Sequence, residues 1–259
     1  NIYAPCFSIR TEHVNENLTL YFVNNPQGKD GYRHQQMDDN FVTLIKKINP
    51  DIAHIGHLNH LSTGLVDELN SLNIPIVFTL HDFWLMCSRG QFLTRSIGTD
   101  NNFKVCNKQE DKKCATDCYS VYFSGRVENK NDEIGNWQNW VHNRMLETKA
   151  IINKVNLYIA PSNYLRDRFI NDFNVPADKI VYLDYGFPTE YLTQTEKSKE
   201  KTDYTFGYIG THIPAKGVNI LIEAFKQIEE KAVLKIFGRS NGQSTNALRE
   251  MAKTSKNKI

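Results

Sequence analysis

The sequence predicts an α/β protein built from two parallel-sheet units. Three observations carry this. Short apolar runs bounded by turn residues alternate with amphipathic helical stretches. The clearest run, Ile74-Pro75-Ile76-Val77-Phe78-Thr79-Leu80, is apolar on both faces, as a strand buried inside a parallel sheet must be. A polar segment centred on Glu196-Lys197-Ser198-Lys199-Glu200-Lys201 divides the alternation in two and has nothing to bury.

Along the chain, residues 18–23 read as a strand. Phe41, Leu44, Ile45 and Ile48 recur at helical spacing, with Asp38-Asp39 expected to cap that helix and Pro50-Asp51 to end it. Residues 52–58 read as a strand, and Ser62 caps a helix carrying Leu65, Val66, Leu69 and Leu72. After the run at 74–80 the period is lost until about residue 132. A segment of this length without structure is uncommon unless it is functional or stapled. Residues 133–155, with Trp137, Trp140, Met145 and Ile151, predict a long helix. Residues 157–160 predict a strand, and Ser162 caps a helix with Leu165, Phe169 and Ile170. Residues 180–185 predict a strand that Gly186 stops. Beyond the polar segment come a strand at 204–209, a loop at 210–217, a helix at 218–228, a strand at 233–237 and a turn at 238–242. Two strands cannot sustain a doubly wound domain, and the chain begins without Met. The expectation is a chain truncated at both ends. Its first domain spans 1–187 with a Cys-rich insertion at about 82–132, its linker spans 188–203, and 204–259 is the start of a second domain.

Of the 259 residues, 40% are hydrophobic and 23% charged, a balance that supports a packed core and excludes global disorder. Lys and Arg number 31 against 29 Asp and Glu, a formal net of +2. That near balance argues against a nucleic-acid partner, which would call for a strongly basic face. No run of roughly 18 apolar residues is present, and the first residues lack the pattern of a secretory signal. Five cysteines, an odd number, are therefore expected to be reduced thiols in a cytosol. Four of them, Cys87, Cys106, Cys114 and Cys118, fall in the aperiodic stretch. Structural zinc takes four soft ligands, usually delivered as two close pairs. Only Cys114 and Cys118 are close. Two accounts remain open: one thiolate metal site, or a loop pinned by Phe103, Tyr119, Tyr122 and Phe123 with the thiols buried nearby. The spacing favours packing.

Ligands of open parallel sheets collect at the carboxyl ends of strands. Three such ends carry candidate chemistry. His57-Leu58-Asn59-His60 follows the strand at 52–58. His81-Asp82-Phe83-Trp84 follows the run ending at Leu80, where an imidazole can donate to a sugar hydroxyl or meet a developing charge. Gly210-Thr211-His212-Ile213-Pro214-Ala215-Lys216-Gly217 joins a strand to a helix. Glycine there lets backbone approach a ligand, a helix N-terminus favours phosphate, and Lys216 adds a point charge. The glycine pattern is neither a dinucleotide fingerprint nor a P-loop. Gly238-Arg239 offers a second cation one strand later.

Taken together, these strings resemble family-4 retaining glycosyltransferases of the GT-B fold, in which two Rossmann-like domains face a cleft. The carrying segments are Asp51-Ile52-Ala53-His54-Ile55-Gly56-His57, Val77-Phe78-Thr79-Leu80-His81-Asp82-Phe83-Trp84, Tyr158-Ile159-Ala160-Pro161-Ser162, and Tyr208-Ile209-Gly210 leading to Lys216-Gly217. The resemblance implies that His81 is catalytic, lying beside the transferred sugar. It implies that Gly210, Thr211, Lys216, Gly217 and Arg239 bind the donor diphosphate, and that His57, Asn59 and His60 lie on the acceptor side. Three departures accompany it. Thr211 stands where the family commonly has Arg, the N-terminal glycine-rich loop is absent, and so is the late Glu-x7-Glu pair.

The activity implied is transfer of a sugar, with retention, from a nucleotide-sugar to a glycan or lipid-linked acceptor in polysaccharide or glycoconjugate synthesis. No cofactor is implied for catalysis, and a structural zinc on the four cysteines is the less favoured account. The implied location is the cytoplasm, with peripheral association at the inner face of the membrane. Two alternatives stand beside this reading. One is a GT-B nucleotide-sugar epimerase, which would need acid/base carboxylates in the cleft. The other is a non-catalytic, metal-stabilised binding module.

Overall fold

Four short strands, β3 (Ala53–Ile55), β4 (Ile76–Thr79), β7 (Leu157–Ala160) and β8 (Ile180–Tyr182), lie side by side in that order, all parallel. This is a computed structural model. It describes residues 4–25, 31–95, 103–119, 131–192, 204–240 and 242–259. The chain divides into two compact units. The larger takes Asn1–Ile97 and Val105–Gly186, and the smaller takes Gly98–Lys104 and Phe187–Ile259.

In the larger unit, each central strand buries one face and half-buries the other. Ile76 and Phe78 on β4, and Tyr158 and Ala160 on β7, are buried. Phe78 and Tyr158 stack at 5.9 Å between ring centroids. Ile76 and Phe78 each contribute about 1.5–3 kcal/mol by leaving water. Helix α1 (Gln35–Ile48) is one turn longer at its start than Asp38-Asp39 would allow. His34 is its N-cap, while Asp38 lies in the first turn and is 1% exposed. Asn49 closes α1 in the left-handed conformation, its N–H donating to the Ile45 carbonyl (2.7 Å). Helix α2 (Gly64–Ser71) has Thr63, not Ser62, at its N-cap. Ser62 serves both helix starts, its Oγ accepting from the N–H groups of Gly64 (3.2 Å) and His34 (3.0 Å). Gly64 is required there, because a Cβ would lie 2.1 Å from Asp38 Oδ2.

Before these come β1 (Ile9–Asn15) and β2 (Leu18–Val23), an antiparallel ribbon. Of this ribbon only β2 carries a strand pattern in the sequence. Elsewhere apolar residues run on past the paired part of a strand. The segment expected at 52–58 pairs only over β3, and that at 180–185 only over β8.

The aperiodic stretch is partly ordered. β5 (Leu93–Arg95) and β6 (Phe103–Val105) form a two-stranded sheet. α3 (Asp111–Cys114) continues into a π turn at Ala115–Tyr119. Tyr119, one of the four aromatics expected to pin the loop, is 2% exposed. Its ring lies 5.3 Å from that of Trp137 and 4.8 Å from that of Trp140. Tyr122, Phe123 and the Phe103 side chain lie outside the described residues. Both tryptophans belong to α4 (Asn131–Ala150), which starts earlier and ends earlier than 133–155. Burial pushes the Cys114 thiol up to about 12 and also raises Cys118. α5 (Asn163–Phe173) is capped as expected, Ser162 Oγ accepting from the Leu165 N–H (3.1 Å).

The smaller unit pairs β9 (Tyr204–Ile209) with β10 (Ala232–Phe237) in parallel. Helices α6 (Val218–Phe225) and α7 (Gly242–Ala252) accompany them. Val218, Ile222, Phe225, Ala232 and Leu234 form its core. The two-strand expectation needs amending, because an extended piece near the end also joins in. Leu234 N–H donates to the Lys258 carbonyl (2.8 Å), and Val233 bridges Lys258 in parallel. Among the described residues no helix is long and apolar enough to cross a membrane.

Candidate functional site

At the carboxyl ends of β3, β4 and β8 the larger unit gathers His57, His81, Asp82 and Tyr185. His81 leaves the sheet directly after Leu80, whose N–H still bonds the Ile159 carbonyl (2.8 Å). Its ring is therefore set by a buried strand while its own surface stays exposed. Nδ1 of His81 lies 2.7 Å from the Tyr185 hydroxyl, and the two rings stack at 5.5 Å with 12° between planes. That bond engages Nδ1 and leaves Nε2 without a part in it. Nε2 lies over Gly56, where a Cβ would come to 3.9 Å. Burial, and then the Asp82 carboxylate, raise the Tyr185 phenol above its usual range.

His57 accepts the Asn59 N–H at Nδ1 (2.7 Å), so its other nitrogen, Nε2, carries the hydrogen that faces Asp82 Oδ2 (3.5 Å). Asp82 Oδ1 accepts the Trp84 N–H (2.7 Å). Gly90, at φ +74°, leaves room for this carboxylate, since a Cβ there would lie 2.7 Å from Oδ2. His57, His81, Asp82 and Trp84 line one notch of about 10 Å³. Asn59 and His60 are exposed on the same loop but do not line it. His60 takes φ +65°, and its carbonyl accepts from the Asn25 side chain.

In the smaller unit, the loop from Gly210 to Gly217 carries the other predicted residues. Gly210 N–H donates to the Phe237 carbonyl (2.9 Å), and His212 N–H donates to the Arg239 carbonyl (3.3 Å). These bonds draw the Gly210-Thr211 and Gly238-Arg239 turns onto one rim. Gly238 has no space for a side chain, because a Cβ would lie 1.8 Å from the Gly210 oxygen. Pro214–Lys216 is a short 3-10 turn that presents Lys216 exposed. Gly217, at φ +70°, ends that turn and starts α6.

Tyr185 lies outside the strings selected from sequence, and applying the strand-end rule to β8 would have found it. Asp82 and His212 stand inside the selected strings without a role of their own. His212 Nδ1 lies 3.3 Å from Thr245 Oγ1, while its buried Nε2 has no hydrogen-bond partner among the described residues. Nothing in the sequence distinguishes it from a solvated loop histidine. Of the cysteines, all five are free. Among the described residues no three His, Cys, Asp or Glu side chains are grouped to hold a metal ion.

No curated protein matches the chain. Solved structures do. A glycosyltransferase from Rickettsia africae ESF-5 is 12% identical over 88% of this chain and 50% of its own, with a TM-score of 0.49. MurG of Acinetobacter baumannii is 13% identical over 85% of this chain and 42% of its own, with a TM-score of 0.39. The chain thus spans about half the length of the solved structures it matches. The model of Glycosyltransferase Family 4 matches residues 2–191, which take in the parallel sheet, His57, His81 and Asp82. The chain belongs to glycosyltransferase family 4.

Proposed function

We propose that the full-length protein transfers a sugar, with retention, from a nucleotide-sugar to a glycan or lipid-linked acceptor. The observation that carries this reading is the family match across residues 2–191, with His81 on a strand end inside it. In this reading the bond between the anomeric carbon and the diphosphate breaks, and the acceptor hydroxyl forms the new bond on the same face. Negative charge grows on the leaving diphosphate. Lys216 and Arg239 meet it as cations, and Gly210, Thr211 and Gly217 let backbone amides approach. His81 offers its Nε2 to the transferred sugar, held by Tyr185. His57, Asn59 and His60 form the acceptor side, with Asp82 fixing the His57 ring. Protein cations handle the diphosphate, so no metal cofactor enters the chemistry. The setting is polysaccharide or glycoconjugate synthesis in the cytoplasm, with peripheral attachment at the inner membrane face.

The test is release of nucleoside diphosphate from a set of nucleotide-sugars by the full-length protein, with and without candidate acceptors. Lys216→Ala is expected to weaken donor binding roughly 10–100-fold, the loss of one charge-assisted contact of about 1.5–3 kcal/mol. Donor affinity and turnover unchanged in that variant would remove Lys216 from the site. Isomerised donor without transfer would replace the reading with epimerisation.

A further inference from the structure

Tyr185 reaches His81 across the end of a strand that belongs to neither. His81 follows β4, Tyr185 follows β8, and β7 lies between those two strands. Backbone fixes both approaches. Leu80 N–H donates to the Ile159 carbonyl (2.8 Å) and Leu183 N–H to the Ala160 carbonyl (3.0 Å), so each segment stays tied to β7 one residue past its own strand. Asp184 Oδ1 accepts the Tyr185 N–H (2.9 Å). The rings then stack with 12° between planes, and the Tyr185 hydroxyl comes to 2.7 Å from His81 Nδ1.

The direction of that bond decides what His81 can do. A phenol oxygen shares its lone pairs with the ring, so it donates more readily than it accepts. The 2.7 Å separation is typical of an O–H donor, whereas N–H···O bonds centre at about 2.9–3.0 Å. Burial, and then the Asp82 carboxylate, raise the Tyr185 phenol above its usual range, so it keeps the hydrogen it donates. A neutral imidazole whose Nδ1 accepts carries its hydrogen on Nε2. Nε2 of His81 lies beside Gly56, where a Cβ would stand 3.9 Å away, and Gly56 and His81 line the same notch. His57, the other imidazole of that notch, has both nitrogens engaged, with the Asn59 N–H and with Asp82. Among the described residues, His81 Nε2 has no hydrogen-bond partner.

On the transferase reading above, we propose that Tyr185 is a positioning residue whose hydroxyl donates to His81 Nδ1 and holds the ring in the Nε2–H tautomer, so that His81 meets a hydroxyl oxygen of the sugar as a neutral donor and not as a base. An imidazole without a partner exchanges between two tautomers in water, and only one of them offers a hydrogen at Nε2. Fixing that tautomer before the sugar arrives removes an ordering cost from binding and from the transition state. With a hydrogen on Nε2 and Nδ1 occupied by Tyr185, His81 takes no proton from the acceptor. The stacked ring sets the orientation of His81 and the hydroxyl sets its tautomer. Tyr185→Phe separates the two, since it keeps the ring and loses only the hydroxyl.

The test uses the full-length protein with its histidines labelled with nitrogen-15. Long-range proton–nitrogen correlation spectra report the tautomer of each ring, and His81 is assigned by the signal missing from His81→Ala. The natural chain is expected to show His81 in the Nε2–H form alone. In Tyr185→Phe the two nitrogen shifts should draw together as both tautomers fill, and turnover should fall roughly 3–10-fold, the loss of one neutral hydrogen bond. Tyr185→Phe added to His81→Ala should cost nothing more, because Tyr185 acts through His81. If Tyr185→Phe fails to fold, the tautomer in the natural chain decides. An Nδ1–H tautomer in the natural chain overturns the proposal. So does unchanged turnover in Tyr185→Phe, or an equal loss when His81 is already alanine. Failure of the transferase reading looks different: the natural chain then releases no nucleoside diphosphate from any nucleotide-sugar, and the sugar contact falls with it whatever the spectra show.

Discussion

Asp38 shows how a single residue escapes a sequence rule. Acidic residues before an apolar run suggest a helix cap, yet α1 starts four residues earlier and buries this carboxylate under Gly64. Both of its oxygens are buried without a hydrogen-bond partner. Burial raises its pKa, more than Ser62 and Arg33 lower it. The folded chain therefore holds a proton that the unfolded chain releases near the ordinary carboxylate value of about 3.9. The stability from that proton is full below this value and is lost as pH rises through the folded one. Denaturant titrations should show the stability of the natural chain, minus that of Asp38→Asn, falling as pH rises from about 4. A difference that rises over that range would mean a carboxylate stabilised in its charged form. At the other residue of consequence, His81→Ala in the full-length protein should cut turnover at least about tenfold while changing stability little, since its ring is exposed and its main bond goes to Tyr185. Lost cooperativity of unfolding with full activity in the folded fraction would make His81 structural.

Elements were legible where burial alone decides them. β4 and β7 were readable because one face of each is buried and the other half-buried, and α5 because its Ser162 cap is local. β1 was missed because its residues Ile9–Asn15 are mostly polar and exposed, so no alternation marks them. The strand ends were drawn long because apolar residues such as Leu183 and Tyr185 continue past the last paired residue. At the rim of the smaller unit, the close approach of β9 and β10 has one steric key. Gly238→Ala places a Cβ against the Gly210 oxygen at a φ of +154°, a conformation glycine tolerates and alanine does not. The expected loss is about 2 kcal/mol of unfolding free energy, with weaker donor binding in the full-length protein. Urea unfolding that matches the natural chain would show that the turn yields instead.

The two units differ in how much they bury. The larger holds a continuous core that includes Val66, Ile76, Phe78, Tyr158 and Phe169, while among the described residues the smaller has five buried hydrophobic side chains. Ile209 is 87% exposed and Phe237 56% exposed on β9 and β10. Opening free energy follows buried apolar contact. Amide hydrogen exchange should therefore be slower in β4 and β7 than in β9 and β10. Equal protection would show that the smaller unit gains stability from something besides its own core.

The sequence alone determined the class of the protein. Alternating periodicity set the α/β order, and the strings around His81 and Lys216 pointed to the glycosyltransferase family that residues 2–191 match. These are local signals, carried by neighbours along the chain. Tertiary structure decided what depends on distant residues meeting. It set Tyr185 on His81 across residues 81 and 185, Asp82 on His57, and Gly238 on Gly210. It also brought four cysteines to the wall of one cavity from segments that no spacing connects. Such meetings are fixed by strand order and side-chain packing, and a one-dimensional pattern does not contain them.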